Sequence, residues 1–402
     1  MKIDIKAVLV YLAFVVFLCA VPAIAFVQYG TGTKDTRGHV GATDGFMKMP
    51  DGRDIYIFGF TNISSLVHFN NLSTSNAIRA KNHAEFPAPT IVMMEGNRRY
   101  QSLSTLGMAM RPDLFDPHTI HFHGYPHASA VYDGEPMSSL KVNQGADFTY
   151  FYQLNDPGTY MYHCHNEATE HMEMGMVGSL IVRPAQDEAS ARPAIDAACQ
   201  ATTGRTSASF KGFLFDDGDC STGYDDELIV QYSDVDPFFH DADSFAQPLP
   251  FADYAARYFL LNGRGYPDTV NTGYITNNAS SYSGLLDDFP AQKVNSLITA
   301  HVGDRILIRL SNLSIQEFCN IEVLGLPMQV IGKDAKFLRR PNGNDLRYYA
   351  NSVMVGGGES ADLLIDTTGV TPGTYYLYSR NLYQLNSDQL DRSGVMTEIR
   401  IQ

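Results

Sequence analysis

Cysteine is scarce in this sequence, with five in 402 residues. No two of them stand as a Cys-x-x-Cys pair. Structural zinc sites favour such closely spaced cysteines, so the spacing argues against zinc. Positive charge is also short. Twenty-nine Lys and Arg face 44 Asp and Glu, a net charge of −15. That balance argues against a nucleic-acid partner. Long amphipathic helical runs are few, whereas Gly (33), Pro (19), Tyr (23) and Phe (23) are plentiful. This composition predicts an all-β fold, and the length suffices for two or three domains.

Histidine is distributed unevenly. Six of the twelve, with one cysteine, fall in two short segments. One is His118-Thr-Ile-His121-Phe-His123-Gly124. The other is His163-Cys164-His165, followed by His171 and Met176. One thiolate, two imidazoles and a thioether are the donors of a blue-copper centre, and four further histidines are a set that holds more copper. The remaining histidines (39, 68, 83, 127, 240 and 301) read as ordinary surface or core residues. Of these, only His127, four residues past His123, is placed to support a ligand. Met108, Met110, Met137, Met172 and Met174 read as core packing.

Strand geometry separates the donors into two groups. Side chains alternate faces with period two. If both segments are strands, His121 and His123 share one face and His163 and His165 share another, with Cys164 opposed to them. Pairing the strands puts His118 and Cys164 on one side and four histidines on the other. A loop after Cys164 that folds back delivers His171 and Met176 to the first side. Cys164 is then bonded through the chain to His163 and His165, a short path for an electron. The net negative charge suits a cationic or neutral redox partner.

These segments resemble the ligand-bearing domain of the multicopper oxidases and of their relative, copper nitrite reductase. The resemblance implies that His118, Cys164, His171 and axial Met176 hold a type 1 copper. It implies type 2/type 3 copper at His121, His123, His163 and His165. One departure stands out. The usual spacing from the cysteine to the second type 1 histidine is five residues, and in this chain it is seven. The spacing from His171 to Met176 keeps the family value of five.

An internal repeat organises the rest. Pro157-Gly-Thr-Tyr-Met-Tyr-His-Cys-His165 recurs as Pro372-Gly-Thr-Tyr-Tyr-Leu-Tyr-Ser-Arg380. His118-Thr-Ile-His-Phe-His-Gly124 is echoed by Cys319-Asn-Ile-Glu-Val-Leu-Gly325, and Glu95-Gly96-Asn97-Arg98 by Val302-Gly303-Asp304-Arg305. The expected architecture is two tandem cupredoxin-like Greek-key β-sandwich domains after an N-terminal signal peptide. The expected boundaries are 1–25 for the signal peptide, 45–185 for the copper-binding domain, 186–224 for a linker and 225–402 for the second domain. In that second copy Cys319, Glu322 and Leu324 replace the first histidines, and Tyr378, Ser379 and Arg380 replace His163, Cys164 and His165. It has lost its metal chemistry.

Lys2 and Lys6, an apolar run from Ala7 to Ala20, and Ala23-Ile24-Ala25 read as a secretory signal. Export to the periplasm or the extracellular space follows, with an uncleaved membrane anchor as the alternative. Cys199 and Cys220 flank a polar stretch and suit a disulfide in an oxidising compartment. Cys319 is left over.

A complete trinuclear cluster draws eight histidines from two domains, and this chain supplies four from one. Three function classes stay open. One is an oxidoreductase that takes electrons from a small-molecule or protein donor and passes them to oxygen, or to nitrite. The others are a blue-copper electron carrier and a copper-handling protein. The resemblance also implies a possible homotrimer.

Overall fold

The computed structural model describes residues 33–66, 72–275 and 290–402. The expected signal peptide and His68 lie outside the described residues. No described helix is long and apolar enough to cross a membrane.

Among the described residues, eight strands build the first half: β1 (Asp35–Lys48), β2 (Asp54–Asn62), β3 (Ala88–Met94), β4 (Arg98–Thr105), β5 (His121–His123), β6 (Asp147–Gln153), β7 (Gly158–His163) and β8 (Val177–Arg183). One sheet has the order β2-β1-β4-β6, and the other β3-β8-β7-β5. Their inner faces bury Phe58, Phe60, Leu103, Phe122, Tyr150, Tyr152, Tyr162 and Leu180 in one core. Aromatic residues of this kind fit a half-buried pleated surface. All six residues of β7 are buried, because both of its faces are covered. Two short helices accompany these strands, α1 (Thr74–Ala80) and α2 (Ala168–Met174).

The connection that follows holds α3 (Asp196–Thr203) and a two-stranded ribbon of β9 (Gly212–Phe213) and β10 (Gly223–Tyr224). Cys199 and Cys220 form a disulfide there, packed with Phe210 and Phe213.

The second half begins with β11 (Asp226–Val235), α4 (Pro237–Ser244), β12 (Tyr258–Leu261), β13 (Ile298–Ala300) and β14 (Arg305–Asn312). It continues with β15 (Cys319–Val323), β16 (Met328–Lys333), β17 (Lys336–Phe337), β18 (Tyr348–Ala350) and β19 (Ser352–Val355). It ends with β20 (Ser360–Asp366), β21 (Gly373–Ser379) and β22 (Met396–Ile401). One sheet has the order β12-β11-β14-β20-β16-β17, with β18 on β16, and the other β13-β22-β21-β15-β19. A second core, with Val230, Ile308, Leu310, Ile321, Leu363 and Leu377, lies between them. The chain is therefore all-β in architecture, with two sandwiches in tandem.

The sandwiches meet at the repeated Pro-Gly-Thr motif of the first. A Cβ on Gly158 would stand 2.7 Å from Cβ of Ala335, so glycine permits the close approach. Beside it Arg309, wholly buried, donates to Oε1 of Glu227 at 2.6 Å and to Oγ1 of Thr159 at 3.1 Å. Arg183 donates to the other oxygen of Glu227 at 2.6 Å. Pairing of this kind is what makes buried charge tolerable.

Candidate metal centre

Strand pairing sorts the donors as period-two alternation requires. In the antiparallel register of β5 and β7, His121 faces His163, Phe122 faces Tyr162 and His123 faces Met161. Phe122 and Tyr162 point into the first core, where Phe122 stacks on Tyr152 with ring centroids 3.8 Å apart. The histidines therefore point the other way. His118 and Cys164 share the core side with the two aromatic rings.

On that core side three donors converge. Nδ1 of His171 is 3.2 Å from Sγ of Cys164, and Nδ1 of His118 is 3.9 Å from the same sulfur. The two Nδ1 atoms are 3.3 Å apart. His118, Cys164 and His171 are all buried. The segment after Cys164 is not a plain loop. It forms α2, and the two residues beyond the family spacing fall in this stretch. Met176 closes the turn: its N–H donates to the carbonyl of His171 at 2.8 Å, and its carbonyl accepts from Cys164 N–H at 3.1 Å. The Met176 side chain is buried in the same core as Cys164.

Burial sets the protonation of this group. It pushes the Cys164 thiol up to about 11 and the His171 imidazole down to about 3. It also lowers His118 well below its usual value, helped by the neighbouring His171. Neutral imidazoles are the ligand form, and a cation beside a buried thiol offsets the cost of the thiolate. Two imidazoles and one thiol converging without carboxylates are the donor set of a type 1 copper site, and they fit that ion.

On the opposite side His121, His123 and His163 bring ring nitrogens within 4.8 Å of one another. Nδ1 of His123 is 3.2 Å from Nε2 of His163. His165 packs its ring 5.0 Å from that of His121 and 5.5 Å from that of His163. Hydrogen bonds fix the rings. Nδ1 of His121 donates to the carbonyl of Asp133 at 2.7 Å, and Nδ1 of His163 donates to the carbonyl of Cys164 at 2.8 Å. Each leaves its Nε2 free to ligate. His123 hydrogen-bonds the backbone of Gly358 in the second sandwich. Burial lowers all three, His163 to about 3.

These four histidines line a cavity of about 570 Å³. Its other wall is Leu313–Phe318 with Gly357 and Gly358, from the second sandwich of the same chain. Leu313 also packs with Met161, Val177 and Met172 at the cavity edge. That wall contributes Gln316 and Glu317 but no imidazole. At the positions of the second sandwich that repeat the four histidines, Glu322 faces Tyr378 across the strands and pairs with Arg380 at 2.8 Å. Leu324 is exposed, and Cys319 is a buried free thiol.

Four of the outlying histidines, His39, His127, His240 and His301, have partners away from the cavity. His39 is buried against Oγ of Ser104 at 2.6 Å, and exposed His301 lies 3.4 Å from Asp304. His127 pairs with Asp156 and does not line the cavity. His240 is buried, with Nδ1 2.6 Å from the carbonyl of Tyr56 and Nε2 3.5 Å from Glu173. Glu173 has no motif or spacing that singles it out in sequence. It lies in α2 beside His171 and accepts from Asp236 N–H and Tyr254 Oη, each at 2.8 Å. The helix carrying His171 is thus tied to the segment that carries α4. Gly358 acts through a backbone atom, which leaves no trace in residue type, whereas Asp133 offers His121 both its carbonyl and a carboxylate oxygen 3.3 Å from Nδ1.

A multicopper oxidase family model matches residues 68–187, and a second multicopper oxidase model matches residues 252–399, together about two thirds of the chain. The chain belongs to the multicopper oxidase family. Members of this family hold several copper ions, a type 1 copper among them. Multicopper oxidase CTB12 of Cercospora beticola is 30% identical over 110 residues, which are 27% of this chain and 16% of that relative. The blue copper oxidase from Nitrosomonas europaea superposes with a TM-score of 0.60 at 20% identity, covering 91% of this chain and 85% of that one. The multicopper oxidase mgLAC superposes with a TM-score of 0.61 at 20% identity, covering 91% and 86%. The copper nitrite reductase from Nitrosomonas europaea superposes with a TM-score of 0.54 at 16% identity, covering 91% and 94%. At these identities the likeness to the solved structures is one of fold. The cupredoxin-like sandwich pair expected of a multicopper oxidase is the fold this chain has.

Proposed function

We propose that this protein is an exported copper-dependent oxidoreductase that takes electrons from a small-molecule or protein donor and reduces oxygen. His118, Cys164, His171 and axial Met176 hold the type 1 copper. His121, His123, His163 and His165 hold further copper, in type 2/type 3 positions. Copper in both places supplies reversible one-electron chemistry. The observation that carries this reading is the placement of the two donor sets back to back. Cys164 belongs to one, and its covalent neighbours His163 and His165 belong to the other. An electron carrier has no use for the second set, whose rings are nonetheless fixed by Asp133, the Cys164 carbonyl and Gly358.

The chain's own residues have separable tasks in this reading. Cys164 and His171 receive the electron at the buried side. The backbone from His163 to His165 links the two sides. The wall at Leu313–Phe318 narrows access to the four histidines, and its cavity admits a small acceptor. Oxygen uptake with a generic electron donor is the test. Uptake that requires bound copper supports the reading, and its absence from fully loaded protein contradicts it.

Nitrite is the second reading, favoured by one observation. The second sandwich brings no histidine to the cavity, so the ligand count is closer to a site of few coppers than to a full trinuclear cluster. Nitrite consumption without oxygen uptake decides for it.

Export rests on Lys2, Lys6, the apolar run and Ala23-Ile24-Ala25. The mature protein then begins at Phe26, which N-terminal sequencing of native material tests. Recovery of residues 1–25 on membrane-bound protein would favour an anchor. A homotrimer is the assembly proposed, tested by the mass of the copper-loaded protein in solution.

A further inference from the structure

Ser221, in the loop that joins β9 and β10, gathers cations. Its carbonyl accepts from Nη2 of Arg305 at 2.7 Å and from Nη1 of Arg347 at 3.4 Å. Its hydroxyl accepts from Nη2 of Arg339 at 2.7 Å. A fourth cation, Arg205, lies close enough to act on Arg305 electrostatically. A chain with a net charge of −15 thus packs four guanidinium groups around one short loop.

Three of the four have a carboxylate. Arg205 pairs with Asp225 at 2.5 Å, Arg339 with Asp219 at 2.9 Å and Arg347 with Asp345 at 2.7 Å. Arg305 has no carboxylate within ion-pair distance among the described residues. Its other terminal nitrogen donates to the carbonyl of Cys220 at 3.1 Å. Burial pulls its pKa down, against the more distant pull of Asp366, Asp217 and Asp225. A half-buried guanidinium bonded only to carbonyls, beside other cations, is costly unless an anion joins it.

The fold leaves room for one. A cavity of about 350 Å³ opens at Arg305, and Arg205, Arg347, Gln329, Thr368 and Asp366 also line it. The space is of small-ligand size. It lies between the connection and the second sandwich, and it shares no lining residue with the four-histidine cavity. Arg205 donates to both oxygens of Asp225, and Arg347 to both of Asp345. These forked bonds fix the two guanidinium planes and still leave each a free N–H.

Asp366 decides the kind of anion. It faces Arg305 across β14 and β20, and its Oδ1 accepts from Thr368 N–H at 2.8 Å. An ionised carboxylate can only accept. It repels an anion without a proton and accepts from one that carries a proton. Phosphate keeps an O–H at neutral pH, whereas sulfate has none.

We propose that this cavity binds a protonated phosphate group, as the free ion or on a small ester. The phosphate oxygens accept from Arg305, Arg205 and Arg347, and the phosphate O–H donates to Asp366. The anion ties the connection, through Arg205, to the second sandwich, through Arg305 and Arg347.

Isothermal titration of the full copper-loaded chain with inorganic phosphate, in a buffer free of that ion, tests the proposal. The wild type should bind one phosphate per chain, and sulfate more weakly by on the order of tenfold or more. Arg305→Gln should weaken phosphate binding by on the order of tenfold or more. Arg347→Gln keeps the bonds of Arg305 and should weaken binding in the same sense. Asp366→Asn, whose amide can donate, should bring sulfate level with phosphate. Unchanged circular dichroism shows that each variant is folded. Equal phosphate binding by the wild type and both arginine variants, or none by the wild type, would overturn the proposal. Equal affinity of the wild type for sulfate and phosphate would overturn the role of Asp366 and with it the choice of phosphate. Glycerol phosphate bound more tightly than the free ion assigns the ester, and weaker binding assigns the ion.

Discussion

Nδ1 of His171 stands 3.2 Å from Sγ of Cys164, across a seven-residue interval whose last four residues are the start of the helix α2. The lengthened segment is therefore compatible with a converged donor set, because the helix takes up the added chain and returns His171 to the sulfur. Loss of that sulfur should remove the charge transfer that gives type 1 copper its colour. Cys164→Ser is expected to bleach the visible band with the fold retained, checked by absorption and circular dichroism of copper-loaded protein. Met176→Leu is expected to keep the band and raise the reduction potential, since an axial thioether tunes it.

His121 and His163 face each other across β5 and β7, with ring centroids 5.2 Å apart. They lie on the side of the strands opposite Cys164. Changing both to alanine is expected to abolish reductive turnover of oxygen or nitrite. The visible band should survive. Turnover and spectrum measured on the same preparation check this, and loss of the band would show that the two sides are not independent.

Much of this arrangement was legible in the sequence because strand alternation is a local rule. The positions of His118, His121, His123, His163, Cys164 and His165 on opposite faces follow from period two alone. So does the loss of ligands at Glu322, Leu324, Tyr378 and Arg380, once the repeat is aligned. What the sequence left open depends on contacts between distant segments. α2 is seven residues long and reads as a loop in sequence. The bonds of Glu173 to Asp236 and Tyr254 come from the second half of the chain. The cavity wall at Leu313–Phe318 has no residue type that announces it, and Gly358 contributes only backbone.

His39 offers a pH test that is independent of copper. It is buried on β1 and hydrogen-bonded to Ser104, and burial lowers its pKa from 6.5 to about 4 against the opposing pull of Asp147. Between those values the unfolded chain binds a proton that the folded chain does not. Stability therefore rises with pH across this window and falls as the pH drops from about 6.5 toward 4. Thermal melts of wild type and His39→Gln should show a shallower decline for the variant over that range. Parallel declines would contradict the assignment.

Arg309 joins the two sandwiches through Glu227 and Thr159, with no exposed surface. Arg309→Met should remove one of the two arginines bonded to buried Glu227 and the guanidinium donor to Thr159, and cost about 3–5 kcal/mol. The unfolding midpoint in urea checks this. A shift too small to measure would mean that the network is replaceable by packing alone.

The central claim is that one chain holds a type 1 copper and, on the other face of the same strands, further copper at four histidines. Metal analysis of fully loaded protein, with its visible spectrum recorded on the same sample, tests it most directly. The expected result is a strong visible band with more than one copper per chain and fewer than four. One copper per chain without turnover would move the protein to the electron carriers, and four would require ligands beyond the eight named. Copper bound without the visible band would contradict the account at its centre.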